Sequence, residues 1–386
     1  MSRIAILENM YYSFKETGIY LLTKCSLGYS ISTSADDMGY FFYSIILGSS
    51  LGLSCIKATY CFFNISIGVL FSIIGISCFY MGKSYSGYGI IVIGLLRLWM
   101  PFIYLNHPYI AYGLGVAPIA ILLCADFRSS KILFWISSLS GGIIASITNT
   151  IRMFSALPMF VFYIIYILFS YRQSVRQKSI FIFLFLIGYS IPYFHYMYHM
   201  NKRDTFLVAH GIAIPERTTH VFWHNIYTGL GFLSNQESIA WQDKCAGDRA
   251  LIINPKARYP SVLYEKTIRN EIFRLCREKR YFIATTIFAK LGVILYFFLI
   301  YFGGLGILVS WFYPKPWYLE LALWAALGIS ALPGILTLPT TPYLIGFITV
   351  TIIYTMYSLI IALNRGILKD FKKYYVTKIR RHKSGF

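Results

Sequence analysis

Residues 58–80 read ATYCFFNISIGVLFSIIGISCFY, twenty-three residues without one charged side chain. A helix rises about 1.5 Å per residue, so a stretch of this length crosses a hydrocarbon core of about 30 Å. No water inside that core satisfies exposed backbone groups, and a helix satisfies them within itself. The same pattern recurs outward along the chain. Gly87–Leu105 (with Arg97 inside it), Tyr109–Ala125, Ile132–Ile147, Met153–Tyr171, Ser179–Tyr198, Tyr281–Phe312, Leu319–Leu336 and Tyr343–Leu363 bring the number of spans to nine. Gly18–Ser30 is shorter and contains Lys24; it reads either as a weak tenth span or as a helix lying in the interface. The first residues show no basic region followed by a clean apolar core, the mark of a cleaved signal peptide. The expected fold class is all-α, a polytopic transmembrane helical bundle of about 9–10 spans.

Composition agrees. Of 386 residues, 57% are hydrophobic and 13% charged, against about 45–50% and 25% in ordinary soluble domains. A soluble enzyme, a disordered chain and a disulfide-stapled secreted domain are excluded on these grounds. The formal charge is +20, from 35 Lys and Arg against 15 Asp and Glu. In a soluble chain that excess points to nucleic acid; in a membrane chain it first reports topology, because cytoplasmic loops collect Lys and Arg. Arg172, Arg176 and Lys178 between two spans, Arg128 and Lys131 between two others, and the tail after Leu363 fall on one side if nine spans alternate. The positive-inside rule makes that side, and the basic C-terminus, cytoplasmic.

The other face then receives Asp36 and Asp37, the Asn106–Pro108 and Thr148–Arg152 turns, Leu336–Pro342, and the long loop His199–Arg280. The expected organisation is an N-terminal transmembrane region with an acidic motif (1–198), an extracytoplasmic loop (199–280), C-terminal transmembrane helices (281–363) and a basic tail (364–386). The loop is itself basic, with Lys202, Arg203, Arg217, Arg249 and Arg258. Long loops translocate regardless of charge, so these groups suit either an anionic lipid-linked phosphate or a solvated surface near anionic head groups. Within it, Leu263, Ile268, Ile272 and Leu275 recur at helical spacing with charges between, predicting an amphipathic helix over Val262–Arg280. Gly39–Leu53 reads as a second amphipathic helix along the outer face, and Gly303–Gly306 and Pro333–Pro342 as breaks. Most of the seven cysteines are read as small core residues, while Cys245 and Cys276 share the loop and could pair where it is oxidising. No CxxC or HExxH spacing marks a metal site.

Three groups of residues are placed to do chemistry. Asp36 and Asp37 are adjacent carboxylates in the first translocated segment; one can accept a proton from a hydroxyl, or the pair can hold a divalent cation beside a phosphate, or one caps the helix that follows. Arg152 lies at the end of two spans, where a guanidinium either grips a lipid phosphate in bidentate fashion or snorkels to the interface. His220, Trp223, His224, Asn225 and Asn235, with Gly229 and Gly231, combine aromatic faces with polar tips, which suits a sugar platform as well as interfacial anchoring. His107 occupies a short turn on the same face. Arg97, Lys290 and Glu320, deeper in their spans, read as structural or gating ion pairs.

The acidic pair near the N-terminus, the outer helix after it, the many spans and the long loop resemble the GT-C class of integral-membrane glycosyltransferases. The run His220-Val-Phe-Trp223-His224-Asn225 with Gly229, Gly231 and Asn235 is similar to a segment of bacterial polytopic proteins. Ser140 through Arg152 to Pro158 is similar to the span pair in which an arginine precedes an apolar helix. The resemblance implies a lipid-linked sugar donor of the polyprenyl-phosphate type, a glycan or glycolipid acceptor, and transfer on the non-cytoplasmic face of a bacterial inner membrane, with Asp36 or Asp37 as base or metal-linked acid. It implies lipid rather than nucleic acid as the partner, and leaves the cofactor open, a divalent cation being the candidate. Members of the class begin with a clear first span, whereas Met1–Ser34 is weakly hydrophobic. An O-antigen-type polymerase and a flippase or transporter of lipid-linked saccharide are the alternatives.

Overall fold

A computed structural model describes residues 3–25, 28–30, 38–82, 84–105, 107–212, 222–259 and 261–366. Its helices, in chain order, are α1 (Arg3–Thr17), α2 (Met38–Leu51), α3 (Cys55–Met81), α4 (Tyr85–Trp99), α5 (Ile110–Val116), α6 (Pro118–Arg128), α7 (Lys131–Ile151), α8 (Leu157–Phe169), α9 (Val175–Ala209), α10 (Phe222–Gly229), α11 (Asp243–Ile253), α12 (Val262–Glu278), α13 (Arg280–Ile300), α14 (Gly303–Phe312), α15 (Trp317–Leu336) and α16 (Thr341–Arg365). The described strands, β1 (Thr23–Cys25) and β2 (Gly28–Ser30), form one antiparallel hairpin. Among the described residues, eight helical segments are long and apolar enough to cross a membrane: α3, Tyr85–Ile103, His107–Arg128, α7, α9, α13, α15 and α16. The protein is an all-α, multi-pass membrane bundle. Its axis is α16, buried over 94% of its most apolar window, whereas α9 is buried over only 11% and runs along the periphery. Around α16 pack α4, α5, α14 and α15.

Four expectations change. Met153–Tyr171 supplies only the thirteen-residue α8, because 152–156 is a turn. Tyr281–Phe312 is not one helix: the break expected at Gly303–Gly306 falls just ahead of it, at Tyr301–Phe302, where Phe302 adopts φ +67° and α14 restarts at Gly303. A Cβ on Gly303 would overlap the Phe298 ring, so a side chain at that position would have to displace the ring. Gly18–Ser30 is neither a span nor an interfacial helix. Gly18 (φ +69°) ends α1, and the chain turns into the β-hairpin, held by Thr23 Oγ1 donating to the Ser30 carbonyl at 3.0 Å and by the Lys24–Glu16 ion pair at 3.0 Å. The long loop also begins later than His199, because α9 continues to Ala209. The Tyr109–Ala125 span is present but jointed at Ala117–Pro118, where proline has no N–H to donate.

Several basic side chains are held by backbone carbonyls at or just beyond helix C-termini, where the last turn leaves acceptors unpaired and carries partial negative charge. Arg97 donates to Ile300 O at 3.2 Å, Arg128 to Tyr80 O at 2.6 Å, and Arg365 to Pro314 O at 2.9 Å. Lys290, 2% exposed, donates to Ile335 O at 2.9 Å and Thr337 O at 2.6 Å. The expected ion pairs of Arg97 and Lys290 are therefore carbonyl caps. Glu320 does form an ion pair, with Lys315 at 2.8 Å.

Candidate functional site

The end of the bundle at which α7 stops carries Arg152. Asn149 Oδ1 accepts the Ala156 N–H at 3.2 Å and the Ser155 hydroxyl at 3.4 Å, closing the 152–156 turn. The turn lies directly on Gly115, where a Cβ would press into the Ser155 carbonyl. Arg152 is 6% exposed, and its guanidinium sits 4.4 Å above the Tyr109 ring. Tyr109 meets Tyr343 edge-on at 5.0 Å, and Tyr343 meets Trp241 at 6.1 Å. A chain of rings thus links Arg152 to the segment that follows α10. The start of α2 arrives at the same place: Gly39 is seated on the backbone of Thr150 and Ile151, too close for any side chain. Asp36, Asp37 and His220 lie outside the described residues. His107 stacks on Phe63 (4.4 Å, 18°) with Tyr60 and Tyr40 around it, which holds it among rings of α2 and α3.

The segment between α9 and α13 folds as a helical insert of α10, α11 and α12. Its core is Tyr227, Ala246, Ala250, Tyr264, Ile268, Ile272 and Leu275. The amphipathic expectation for α12 holds with one change: Tyr264 is the buried residue of its first turn, and Leu263 is 39% exposed. Glu265 accepts the N–H of Trp223 at 2.9 Å and that of His224 at 3.4 Å, capping the first turn of α10. Burial raises the Glu265 carboxyl, a shift those two backbone bonds oppose. Glu271 lies between Arg249 (2.6 Å) and Arg274 (2.8 Å), and the Arg274 hydrogen bond holds it below the usual carboxylate range.

His224 is 3% exposed and is fixed at both ring nitrogens. Nε2 lies 3.1 Å from Asp243 Oδ1 and Nδ1 lies 2.6 Å from Tyr264 Oη. With the Asp243 carboxylate accepting from Nε2–H, the other ring nitrogen, Nδ1, faces the Tyr264 hydroxyl. Burial pushes the Tyr264 phenol up, which keeps it a donor. His224 also borders a cavity of about 520 Å³, whose other walls are Asp243, Lys244, Gly247, Asp248, Leu251, Pro255, Arg258 and Tyr259.

The residues grouped by sequence around His224 have separate tasks. Trp223 packs on Phe222 and Phe273. The Asn235 side chain bonds Leu233 O, Ile239 O and the Ile239 N–H, tying the 233–239 loop. Asn225 accepts the Thr228 hydroxyl through its backbone carbonyl. None of the three lines the cavity. Gly229 and Gly231 are close-packing points: Gly229 against the Leu336 and Thr337 backbone, Gly231 against Ala240 and Trp241. Gly229 docks the insert on the end of α15, and Gly231 packs the insert's own chain together. Cys245 and Cys276 are separate thiols.

Sequence reasoning missed Asp243 and Tyr259, which meet His224 only through the fold, and it did not single out Asp126, the residue just after the Tyr109–Ala125 span. Asp126 is 2% exposed at the opposite end of the bundle. It accepts the hydroxyls of Tyr166 (2.9 Å) and Tyr318 (3.0 Å) and pairs with Arg172 at 3.0 Å, joining α6, α8 and α15. Among the described residues, no group of three or more His, Cys, Asp or Glu is gathered as a metal site. No protein-family model, curated protein or solved structure matches the chain.

Proposed function

We propose that the chain is a membrane glycosyltransferase that moves a sugar from a polyprenyl-phosphate carrier to a surface glycan or glycolipid at the Arg152 end of the bundle. The positive-inside argument supports that end as the non-cytoplasmic face, and the resemblance to the GT-C class implies a bacterial inner membrane. The observation that carries the reading is the seating of Gly39 on Thr150 and Ile151. It sets the start of α2, the helix that directly follows Asp36 and Asp37 in the sequence, beside the residue before Arg152. In this reading Asp36 or Asp37 takes the proton of the acceptor hydroxyl as its oxygen attacks the anomeric carbon. The bond from that carbon to the phosphate oxygen breaks, and the carrier phosphate keeps the electron pair. Arg152 faces the charge that develops on it, with a guanidinium shaped for two phosphate oxygens. A divalent cation at the acidic pair is the cofactor this reading admits.

The test is to substitute Asp36→Asn, Asp37→Asn, both together, and Arg152→Met, and to read glycan composition by mass spectrometry. The expected result is loss of one sugar from the glycan, with the lipid-linked donor accumulating. Unchanged glycan in the Asp36→Asn/Asp37→Asn protein rejects the proposal. A second reading, a flippase or transporter of lipid-linked saccharide, draws support from the two jointed spans at Tyr301–Phe302 and Ala117–Pro118, since broken helices line transport sites. Continued carrier turnover without sugar transfer favours it. An O-antigen-type polymerase would instead change glycan length at constant composition.

A further inference from the structure

The cavity on the helical insert is set apart from Arg152, which does not line it, and the acid–base proposal does not use it. Its volume, about 520 Å³, falls within the range of about 300–1,000 Å³ found for small-ligand sites. One wall is α11, presenting Asp243, Lys244, Gly247, Asp248 and Leu251. The facing wall is the turn carrying Pro255, Arg258 and Tyr259, and His224 closes one side.

The lining restricts the ligand. Two carboxylates are matched by two cations, so the formal charge is zero, and a phosphate or polyanion gains no net attraction. Carboxylates, an ammonium and a guanidinium together offer acceptors and donors in roughly equal supply, as vicinal hydroxyls require. The Tyr259 ring supplies an apolar face beside them. It stands 5.2 Å from the His224 ring and at 90° to Tyr264, 5.3 Å away, so the buried pair beneath holds its orientation. Flat apolar faces flanked by polar edges suit the C–H surface of a sugar ring.

His224 is a positioning residue here. Hydrogen bonds at both nitrogens couple the cavity wall to the insert's core: Tyr264 from α12 fixes the ring, and the ring fixes the Asp243 carboxylate. Asp243 is otherwise almost fully exposed, with a side chain 97% accessible, so this bond is what orders it at the cavity edge.

We propose that this cavity is a binding subsite for a neutral saccharide. The ligand class follows from the lining; its role as the acceptor glycan of the transfer reaction rests on the transferase reading above.

Gly247 supplies the decisive variant. It lines the cavity, and a Cβ placed on it meets no atom within 4 Å. Gly247→Leu therefore projects into the open space without disturbing the fold, and it replaces glycine within a helix by a better helix former. The full-length protein in nanodiscs is applied to an array of neutral and acidic oligosaccharides. The strongest neutral binder is then titrated in solution against wild type, Gly247→Leu, Asp248→Asn and His224→Gln. The expected result is retention of neutral glycans by wild type, at least tenfold weaker binding by Gly247→Leu with unchanged melting temperature, and weaker binding by Asp248→Asn. His224→Gln is expected to weaken binding, with further loss of the Asp243 contribution shown by non-additivity with Asp243→Asn. No neutral glycan retained by wild type, selective retention of acidic glycans, or equal binding by Gly247→Leu overturns the proposal. Glycan binding that survives while Asp36→Asn/Asp37→Asn leaves the envelope glycan unchanged rejects the transferase reading and keeps the saccharide site.

Discussion

The guanidinium of Arg97, on α4, donates through Nη2 to the carbonyl oxygen of Ile300 at 3.2 Å, where α13 ends and the span bends into α14. The same guanidinium lies 5.0 Å from the Tyr301 ring and 5.8 Å from the Phe302 ring. A break inside a span exposes carbonyls that lipid cannot satisfy, so irregular backbone at that depth persists only where protein covers it. Arg97 is that cover. Arg97→Met keeps the apolar stem and removes the donors, leaving the Ile300 carbonyl unpaired at a cost of about 1–3 kcal/mol. Thermal unfolding of the purified protein is expected to show this loss, with Arg97→Lys intermediate. A melting temperature unchanged in Arg97→Met would show that another group satisfies Ile300.

At the opposite end of the bundle, Asp126 holds two tyrosine hydroxyls and Arg172 together. Removing the carboxylate strands two buried donors as well as a cation. Asp126→Ala is expected to cost about 3–5 kcal/mol, the range for breaking a buried pair from one side. Tyr166→Phe and Tyr318→Phe, which each remove one hydroxyl, are expected to cost about 0.5–1.5 kcal/mol. Chemical denaturation of the single and double tyrosine variants checks the assignment: shared dependence on Asp126 predicts that their effects do not add.

The span at 58–80 was legible because an apolar run is a local property, and α3 contains it whole. The amphipathic α12 was legible for the same reason. The break before α14 was legible through Gly303–Gly306, but its cover was not, because that comes from Arg97, on another helix. Gly18–Ser30 misled because moderate hydropathy outweighed Gly18, whose positive φ ends α1, and Gly28, whose positive φ falls in the hairpin. Of the residues expected to bind substrate, His224 lines a cavity, while Trp223 and Asn235 build the scaffold around it. Their shared composition carried no signal of that division. Gly229 packs on the end of α15 and Gly231 on Ala240 and Trp241 of the insert, close approaches that residue type alone cannot distinguish from a ligand loop.

The contact of α7 with α9 rests on two glycines. A Cβ on Gly142 would overlap the Phe185 carbonyl, and one on Gly188 would overlap the Leu139 carbonyl. Helices in a membrane associate through close packing rather than water exclusion, and small residues permit it. Neither carbonyl can withdraw without bending its helix. Gly188→Ala is expected to destabilise by about 1–3 kcal/mol, the usual cost of overpacking, and Gly142→Ala by a similar amount. Gly328→Ala, where a Cβ meets nothing within 4 Å, is the matched control and is expected to be neutral. Detergent-resistance assays on the three variants give the comparison.

The insert should respond to acid through Glu271 and in the reverse sense through Glu265. Glu271 is held below the ordinary value of about 4.3 by Arg274 and Arg249, so the unfolded chain binds its proton more readily. Its contribution is complete above that ordinary value and is lost as the pH falls through the lower, folded one. Glu265 is shifted upward, chiefly by burial, so ionising it costs the folded state. That cost is absent below its unfolded value and grows as the pH rises through the folded one. Glu271→Gln is expected to destabilise the insert at pH 7 and flatten its acid loss. Glu265→Gln is expected to leave the acid loss in place and to remove the decline that sets in as the pH rises past the ordinary glutamate value, less whatever is lost when an amide replaces one of the two oxygens that accept from Trp223 and His224. Hydrogen exchange of the α10 and α12 amides in the full-length protein, followed from pH 3 to 7, separates the two. Parallel profiles for both variants would show that neither carboxylate sets the pH response.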